Sequence, residues 1–206
     1  PWGYEITQRI RKEGFAIRSY NIFVSCGNAH QKICKPYKGE FLSDKGKQIY
    51  DKIHDIEIVK FNNSDGTLSA IGWIAKTSFL GSIYDKSIKG LRVRKGNILI
   101  GDQQTLNVLF KDARFNGWSI GEIFAVDSQL IPNARRDNFE KNAAYFSLIE
   151  QMMPLAAKIT KTIRSTSATR NHELSAALKA IDDVSTQTNQ ALSTGVSSSQ
   201  KGTLHS

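Results

Sequence analysis

Residues 54–77 read HDIEIVKFNNSDGTLSAIGWIAKT and have the pattern of two strands joined by a tight turn. In the first half, side chains alternate with a period of two, so that Ile56 and Ile58 lie on one face of a strand. The turn residues 62–66 include Asn, Asp and Gly, which tolerate the positive φ angles of hairpin turns. Residues 68–77 are mostly apolar and are predicted to form the return strand of an antiparallel hairpin.

Outward from this hairpin, strand patterns alternate with helical ones. The stretch 90–101, GLRVRKGNILIG, is predicted to be either a pair of short strands or one bulged strand, interrupted at Gly96. A helix is predicted over 136–153 from the helical spacing of its apolar residues. Interleaved strands and helices before a long helical tail favour an α+β fold: a two-layer sandwich of a mixed or antiparallel sheet covered on one face by helices. Further helices are predicted over 5–14, 43–53 and 103–110, further strands over 15–25 and 118–126, and a loop over 26–42.

The composition changes along the chain and divides it into three segments. Residues 1–153 carry all of the strand patterns and are expected to form an α/β domain, after which Pro154 marks a kink or a new helix start. Residues 154–192 form a helical extension whose narrow apolar stripe either packs on the same domain or makes a dimer seam. Residues 193–206 are rich in Ser and Gly and have the character of a linker. The stripe consists of Leu174, Leu178, Ile181 and Leu192.

The chain has 206 residues, of which 40% are hydrophobic and 23% are charged, as is typical of a globular protein. Its formal net charge of +9 either favours an anionic partner, such as nucleotide phosphates, nucleic acid or an acidic protein face, or reflects a basic composition without such a partner. It shows no signal-peptide pattern and no apolar run of about 20 residues, so a cytoplasmic location without a membrane span is expected. The start at Pro1 is interpreted as a cut inside a longer chain. Cys26 and Cys34 are expected to be reduced thiols, as is usual in the cytoplasm, with a disulfide as the alternative, and they match no zinc-binding pattern.

The usual nucleotide-binding and catalytic motifs are missing from the sequence. Gly46-Lys47 is followed by Gln48, where a phosphate-binding loop would have Ser or Thr. No GxGxxG, GxSxG or HExxH pattern occurs. The sequence therefore does not support a self-contained active site, and whether the chain is part of an enzyme stays open.

Residues 130–140, LIPNARRDNFE, place two adjacent arginines where a helix is predicted to begin, with Asn133 at the N-cap position. A helix N-terminus already carries partial positive charge, so this pair requires a compensating anion. The anion is either a bound phosphate or a neighbouring carboxylate, in which case an Arg–Asp network pins the loop. The candidate phosphate-binding residues are Arg136, Arg135 and Asn133, and the supporting residues are Glu140 and Asp137.

Two smaller features also allow two interpretations each. A basic set around the strand at 90–95 is either a solvated strand face or a docking surface for an acidic partner. Phe110, Phe115 and Trp118 are either part of the core or an exposed contact patch. The basic set consists of Lys86, Lys89, Arg92, Arg94 and Lys95.

Three stretches together resemble the middle segment of the heat-shock-protein-90 chaperone family, and in particular bacterial ATP-binding proteins similar to it. They are residues 60–76, where a turn leads into an apolar strand, residues 90–102, a strand pair that ends in Asp, and residues 114–140, with the order strand, loop and arginine-bearing helix. The resemblance covers roughly residues 50–150. It implies a ribosomal-protein-domain-two-like fold and an upstream ATPase domain of the GHKL type, which binds ATP with Mg²⁺.

In that family the middle domain contributes an arginine from this loop to the γ-phosphate of ATP, and a Gln one helical turn later. By position, the resemblance makes Arg136 the catalytic arginine. Glu140 stands at the Gln position, where a carboxylate would repel phosphate, so it is expected to hold Arg136 instead. Arg135 stands where the family has a small residue, which leaves open which arginine reaches the phosphate. The implied role is to couple ATP hydrolysis to a client or partner protein, with no hydrolysis by this segment alone.

Two other functions fit the residues. The charge of +9 is compatible with a nucleic-acid-binding transducer domain, as in DNA-repair relatives that share the GHKL architecture. The helical tail is compatible with a non-catalytic interaction module that forms a homodimer. These alternatives differ in their partners, which are nucleic acid in the first and a second copy of the chain in the second.

Overall fold

The computed structural model describes residues 2–44 and 48–200, except for the side chains of Asp44 and residues 193–200. It confirms the α+β fold, with a mixed sheet, antiparallel hairpins and a long C-terminal helix. The elements in chain order are α1 (Trp2–Lys12), β1 (Phe23–Cys26), β2 (Ala29–Lys32), β3 (Glu40–Asp44), β4 (Ile49–Lys52), β5 (Asp55–Asn62), β6 (Leu68–Lys76), β7 (Gly90–Lys95), β8 (Ile98–Ile100), two 3-10 helices (Thr105–Leu109 and Ala113–Trp118), β9 (Ile120–Ala125) and α2 (Ala143–Gln200).

Five strands form the central sheet in the order β5-β6-β9-β7-β8. The predicted hairpin is confirmed as β5 and β6, with Val59 opposite Gly72 and a turn closed by the hydrogen bond from Gly66 N to Asn63 O at 2.9 Å. β9 lies between β6, to which it is antiparallel, and β7, to which it is parallel. The last strand in the described part of the chain is therefore the middle strand of the sheet, and all of its residues are buried.

Two apolar clusters cover the opposite faces of this sheet. Neighbouring residues of β6 point to opposite faces, because side chains alternate along a strand. Ile74 belongs to the cluster that contains Met152 of α2, whereas Trp73 belongs to the cluster that contains Ile10 of α1 and Tyr37. Both faces of the sheet are thus covered, one by the first part of α2 and the other by α1 together with the segments that precede β5.

The helix predicted over 43–53 is wrong for the described part of that segment, because residues 43–44 belong to β3 and residues 49–52 to β4, which pair antiparallel. Residues 45–47 of this prediction lie outside the described chain. Phe41 lies opposite Asp51 in that pair. The Asp51 carboxylate is buried and accepts hydrogen bonds from the backbone amides of Ser78 and Leu80, both at 3.1 Å. These amides are distant from Asp51 in sequence, and their hydrogen bonds help to hold β4 as a strand. A local sequence pattern contains no information about such distant partners.

The strand predicted over 15–25 is mostly irregular, and the loop predicted over 26–42 contains β2 and the start of β3. β1 and β2 form a small hairpin with Gly27 at φ 57° in its turn, and every residue of both strands is exposed. Phe15 and Ile17 instead pack against the core without forming a strand. The apolar alternation in this region therefore marks core contacts and an exposed hairpin, and only its end is a strand.

The helix predicted over 136–153 begins later, at Ala143, and continues through Pro154. A proline inside a helix removes one backbone hydrogen bond and usually kinks or ends the helix. Here Met152 and Ala156, on either side of it, are both 1% exposed and packed in the core. Burial of this helix face offsets the missing hydrogen bond, and the helix goes on.

The chain divides into two compact units, Pro1–Arg164 and Ser165–Ser206. The first unit extends beyond the predicted domain end at residue 153, because Ile163 is still buried in its core. α2 also continues into the segment 193–206, which the composition predicts to be a linker, and the end of that segment lies outside the described residues.

The second unit carries the apolar stripe of α2 on an exposed face. Leu174, Leu178 and Ile181 are 61%, 54% and 64% exposed, respectively. A dimer seam along this stripe stays a prediction. Among the described residues, none of the helices combines the length and the apolar character that crossing a bilayer requires.

Candidate phosphate-binding arginine loop

We call residues 131–140 the arginine loop. Its two sides meet as a short antiparallel pair, in which Pro132 lies opposite Phe139. Next to this bridge, the backbone amide of Asn133 donates to the carbonyl of Asn138 at 2.9 Å. Phe139 is 4% exposed and belongs to the core cluster around α2. The loop is therefore a hairpin-like turn with its returning side anchored in the core.

The tip of the arginine loop is docked onto the end of β8. Arg136 has a φ of 55°, and its amide donates to the carbonyl of Asn133 at 2.9 Å, which closes the turn. The carbonyl of Arg136 accepts a hydrogen bond from the amide of Gly101 at 2.8 Å. A Cβ at Gly101 would lie 2.5 Å from the carbonyl oxygen of Asp137, so only glycine allows this approach. The backbone of the loop is thus held at its base and at its tip.

The helix N-terminus that the sequence predicts at the arginines is wrong. α2 begins at Ala143, and its cap is Asn142, whose Oδ1 accepts from the amide of Tyr145 at 3.0 Å. Asn133 therefore does not cap a helix. The extended pairing across the arginine loop occupies backbone groups that a helix would need. The favourable field of a helix terminus falls off within the first turn, so it does not supply the anion affinity of the arginines.

Asp137 organises one of the two arginines. Its carboxylate accepts from Nε of Arg135 at 2.9 Å and from Nδ2 of Asn133 at 2.6 Å. The Arg–Asp network considered from the sequence therefore exists, and it involves Arg135. The role that the geometry shows for Asn133 is to position Asp137.

Arg136 differs from its neighbour in its surroundings. Its side chain is exposed, and it makes no ion pair within residues 2–44 and 48–200. The expected contact with Glu140 is absent there, since Glu140 is also exposed and pairs with no described cation. The loop thus offers one unpaired guanidinium, enough to contact a phosphate group but not to hold a whole nucleotide.

A buried ionic centre in the sheet is a feature that the sequence interpretation missed. The Glu122 carboxylate on β9 is fully buried and accepts from Nζ of Lys35 at 2.7 Å and from Nε1 of Trp73 at 3.3 Å. It also accepts from Nε of Arg94. Arg94 therefore belongs neither to a solvated face nor to a docking surface. A glutamate inside the apolar strand IGEIFA was the available signal, because a buried carboxylate requires cationic partners.

The charges of this centre shift its titration. Burial alone would raise the pKa of Glu122, but Lys35 and Arg94 together bring that pKa below its usual value. Burial, followed by the nearby carboxylate, raises the pKa of the Tyr37 hydroxyl well above its usual range. Glu122 is therefore ionised and Tyr37 neutral at pH 7. Because its ion pairs link three parts of the chain, the centre joins β9, β7 and the segment before β3.

Metal ligands and aromatic residues complete the comparison with the sequence. Within the described part of the chain, no group of three or more His, Cys, Asp or Glu side chains could hold a metal ion. Cys26 and Cys34 are free and exposed. Phe110 and Phe115 are core residues, which confirms the core interpretation for these two. Trp118 is partly buried and packs against the same core cluster.

No protein-family model matches this chain, and no curated protein shows significant similarity to it. The resemblance to the heat-shock-protein-90 family therefore rests on the stretches quoted above. The function that the resemblance implies is a proposal, which the geometry of the arginine loop has to support.

Proposed function

We propose that the chain is the middle domain of a heat-shock-protein-90-like ATPase and that it supplies Arg136 to the γ-phosphate of ATP. The ATP, with its Mg²⁺, would be bound mainly by an upstream GHKL domain. The observation that carries the proposal is the contrast between the two arginines. Arg135 is paired with Asp137, whereas Arg136 is exposed, lacks a carboxylate partner among the described residues and stands at the tip of a docked loop.

The chemistry asked of Arg136 is electrostatic. ATP supplies the phosphoryl group that is transferred, and a guanidinium neutralises the negative charge on its oxygens. Arginine presents its donors in a rigid fork that matches phosphate oxygens. Because the hydrogen bonds of Asn133 and Gly101 fix the backbone of Arg136, its side chain starts from a fixed point. Preorganisation of this kind reduces the entropy lost when the charged groups meet.

Two neighbouring carboxylates support this assignment because neither of them pairs with Arg136. Asp137 holds Arg135 on the loop, so the two guanidinium groups do not compete for one phosphate. Glu140 leaves Arg136 unpaired, and in this proposal it stays away from the phosphate, which it would repel. The arginine is therefore available when the upstream domain closes on the loop.

The proposed biological role is chaperone-like coupling of the nucleotide state to a client or partner protein in the cytoplasm. An arginine supplied across a domain junction makes hydrolysis depend on closure of that junction. Movement at the junction would then be passed to the surfaces of this domain that contact the client. The segment alone is expected to hydrolyse nothing, because the groups that hold ATP belong to the upstream domain.

The test is ATP turnover by the natural protein that joins this chain to its GHKL domain. Arg136→Ala is expected to lower kcat by on the order of 10³-fold, the lower end of the contribution of such arginines, with little change in ATP affinity. Arg135→Ala is the matched control. It removes the same charge from the adjacent position and is expected to change kcat only a few-fold.

Three results would contradict the proposal. Equal loss of turnover in both variants would mean that the loop acts through its total charge. Unchanged turnover in Arg136→Ala would remove the arginine from the reaction. A natural protein without any ATP-binding domain would also end the proposal, because Arg136 would then have no phosphate to meet.

A further inference from the structure

A basic cavity of about 810 Å³ lies in the first unit, and none of the residues that line it belongs to the arginine loop. Three cationic side chains line it, those of Lys86, Lys89 and Arg114, and no Asp or Glu is among its described lining residues. Ligand cavities typically measure about 300–1,000 Å³, so the volume suits a small polar molecule or one unit of a polymer. A cavity lined by one sign of charge concentrates ligands of the opposite sign.

Lys89 is built into the cavity wall. Its Nζ donates to Oγ of Ser82 at 3.0 Å, and it pairs with no carboxylate of the described residues. Gly117 provides the room, because a Cβ at this position would lie 2.7 Å from Cε of Lys89. The ammonium group is therefore held by the fold and has hydrogen-bond donors left for a ligand.

Arg114 is held in a similar way. Its Nε pairs with Asp112 at 2.6 Å, and its guanidinium lies over the ring of Phe115, 5.2 Å from the ring centroid. The side chain is 74% exposed. One edge of the guanidinium is engaged by Asp112, and the remaining nitrogens can form hydrogen bonds to an anion.

Buried polar residues fix the other walls. Asn116 is fully buried, and its Oδ1 accepts from the amide of Leu91 at 2.8 Å. Its Nδ2 donates to the carbonyl of Gln103 at 3.0 Å and to Oδ1 of Asn107 at 2.8 Å, which ties the wall formed by the first 3-10 helix to β7. The buried guanidinium of Arg92 donates to the carbonyl of Lys86 and so holds the backbone at this lining residue.

The remaining lining has the chemistry of a base-binding surface. Gln103, Gln104 and Asn107 contribute amides, which can donate and accept hydrogen bonds, and Trp118 contributes an aromatic ring. Amide edges and aromatic faces recognise nucleobases, and cations recognise phosphate. We infer that this cavity binds a nucleotide unit, through its phosphate and its base, either as a free nucleotide or as part of a single strand. An acidic peptide would use the cations but leave the amide and aromatic surface without a matching partner.

The experiment uses the full chain and a fluorescein-labelled oligothymidylate of about 20 nucleotides, long enough to cover one site of this kind. Fluorescence anisotropy at about 50 mM salt is expected to show binding that weakens as salt rises. The double variant Lys89→Ala/Arg114→Ala is expected to bind at least about tenfold more weakly, since it loses two phosphate contacts. The control Lys12→Ala/Lys161→Ala has the same net charge, removes two exposed lysines outside the cavity and is expected to bind like the natural chain.

A third variant, Gly117→Ala, displaces Lys89 without changing the charge and is also expected to weaken binding. Its unfolding midpoint is measured alongside, and Lys89→Gln replaces it if the fold is lost. Unlabelled competitors identify the source of the ligand. Displacement by a mononucleotide points to a free nucleotide, and displacement by an unlabelled strand alone points to nucleic acid.

Several outcomes would overturn the inference. These are no binding at low salt, equal weakening of binding in the two double variants, and displacement of the probe by polyglutamate as readily as by the strand. The last result would indicate an acidic protein partner. Loss of strand binding in Arg136→Ala, with binding retained in Lys89→Ala/Arg114→Ala, would move the site to the arginine loop. The inference does not depend on the proposed ATPase role, because no residue of the arginine loop lines the cavity.

Discussion

The amide of Gly101 donates to the carbonyl of Arg136 at 2.8 Å, and both residues have a left-handed backbone, with φ values of 69° and 55°. This single hydrogen bond joins the end of β8 to the tip of the arginine loop. Left-handed backbone costs an L-residue about 1–2 kcal/mol. Gly101 avoids this cost, whereas Arg136 bears it at the position where the proposed function needs an arginine.

Gly101→Ala is expected to lower the free energy of unfolding by about 2 kcal/mol or more, through backbone strain and a clash. The added Cβ would lie 2.0 Å from Oγ1 of Thr105 and 2.5 Å from the carbonyl of Asp137. Gly96→Ala is the matched control, since its φ is 56° and no atom lies within 4 Å of the added Cβ. Urea unfolding of both variants separates the clash from the strain. Equal losses would show that the loop moves aside without cost.

At position 136, glycine is expected to be more stable than alanine by about 1 kcal/mol, because it removes the left-handed strain. At position 135, where φ is not positive, the order is expected to reverse, because glycine loses more backbone entropy on folding. Urea unfolding of the four variants measures both differences. If alanine is at least as stable as glycine at position 136, the backbone of Arg136 is not strained.

Glu122→Gln is expected to destabilise the fold by about 3–5 kcal/mol, because it leaves Arg94 and Lys35 without their buried counter-charge. The control is Glu57→Gln, which removes a carboxylate paired with Lys158 at the surface at 2.6 Å and is expected to cost at most about 1 kcal/mol. Both values come from urea denaturation at pH 7. Similar small losses in the two variants would show that the buried centre contributes little.

The contribution of Glu122 is expected to depend on pH in one direction. Lys35 and Arg94 hold its folded pKa below the unfolded value of about 4.3, so its stabilisation is present above that pH and is lost as the pH falls through the folded pKa. The difference in unfolding free energy between the natural chain and Glu122→Gln should stay constant from about pH 5 to 8 and shrink below about pH 4. A difference that grows on acidification would contradict the lowered pKa.

Asn142→Ala is expected to destabilise the fold by about 1 kcal/mol, the usual cost of losing an N-cap. The side chain accepts from the amide of Tyr145 at 3.0 Å and donates to the carbonyl of Gln129 at 2.7 Å. Asn142→Ser keeps a capping oxygen and should retain most of the stability. If thermal unfolding gives the same midpoint for the natural chain and both variants, the start of α2 does not depend on this cap.

The hairpin of β5 and β6 could be predicted because its information is local. Asn63 and Gly66 make a turn, and the flanking residues alternate. The pair β3–β4 could not be predicted in this way. Its strand character depends on Asp51 accepting from the amides of Ser78 and Leu80, which are 27 and 29 residues away. A local pattern with Gly and charged residues gives no account of such partners.

The features of the candidate site likewise fall into those that local sequence predicts and those that it does not. The sequence pointed to Arg135, Arg136 and Asp137 as a group, because adjacent arginines beside a carboxylate are visible in a short segment. It predicts a helix start at the arginines, because Asn133 is a favourable N-cap residue and the helical spacing of apolar residues begins at Phe139. The structure gives that segment to a hairpin-like loop, and the bridge between its two sides separates the arginines from α2.

Local sequence patterns are enough to predict the α+β class, the central hairpin and the long C-terminal helix. These follow from turn chemistry, side-chain periodicity and composition, which act over a few neighbouring residues. The pairing of the charged side chains, in contrast, depends on the three-dimensional fold, which buries some of them and leaves others exposed. Glu122 meets Lys35 across 87 residues, and Arg136 stays unpaired in the described chain while Arg135 is paired. Electrostatic interactions act through space, so the partners of each charged side chain depend on how the tertiary fold brings distant segments together.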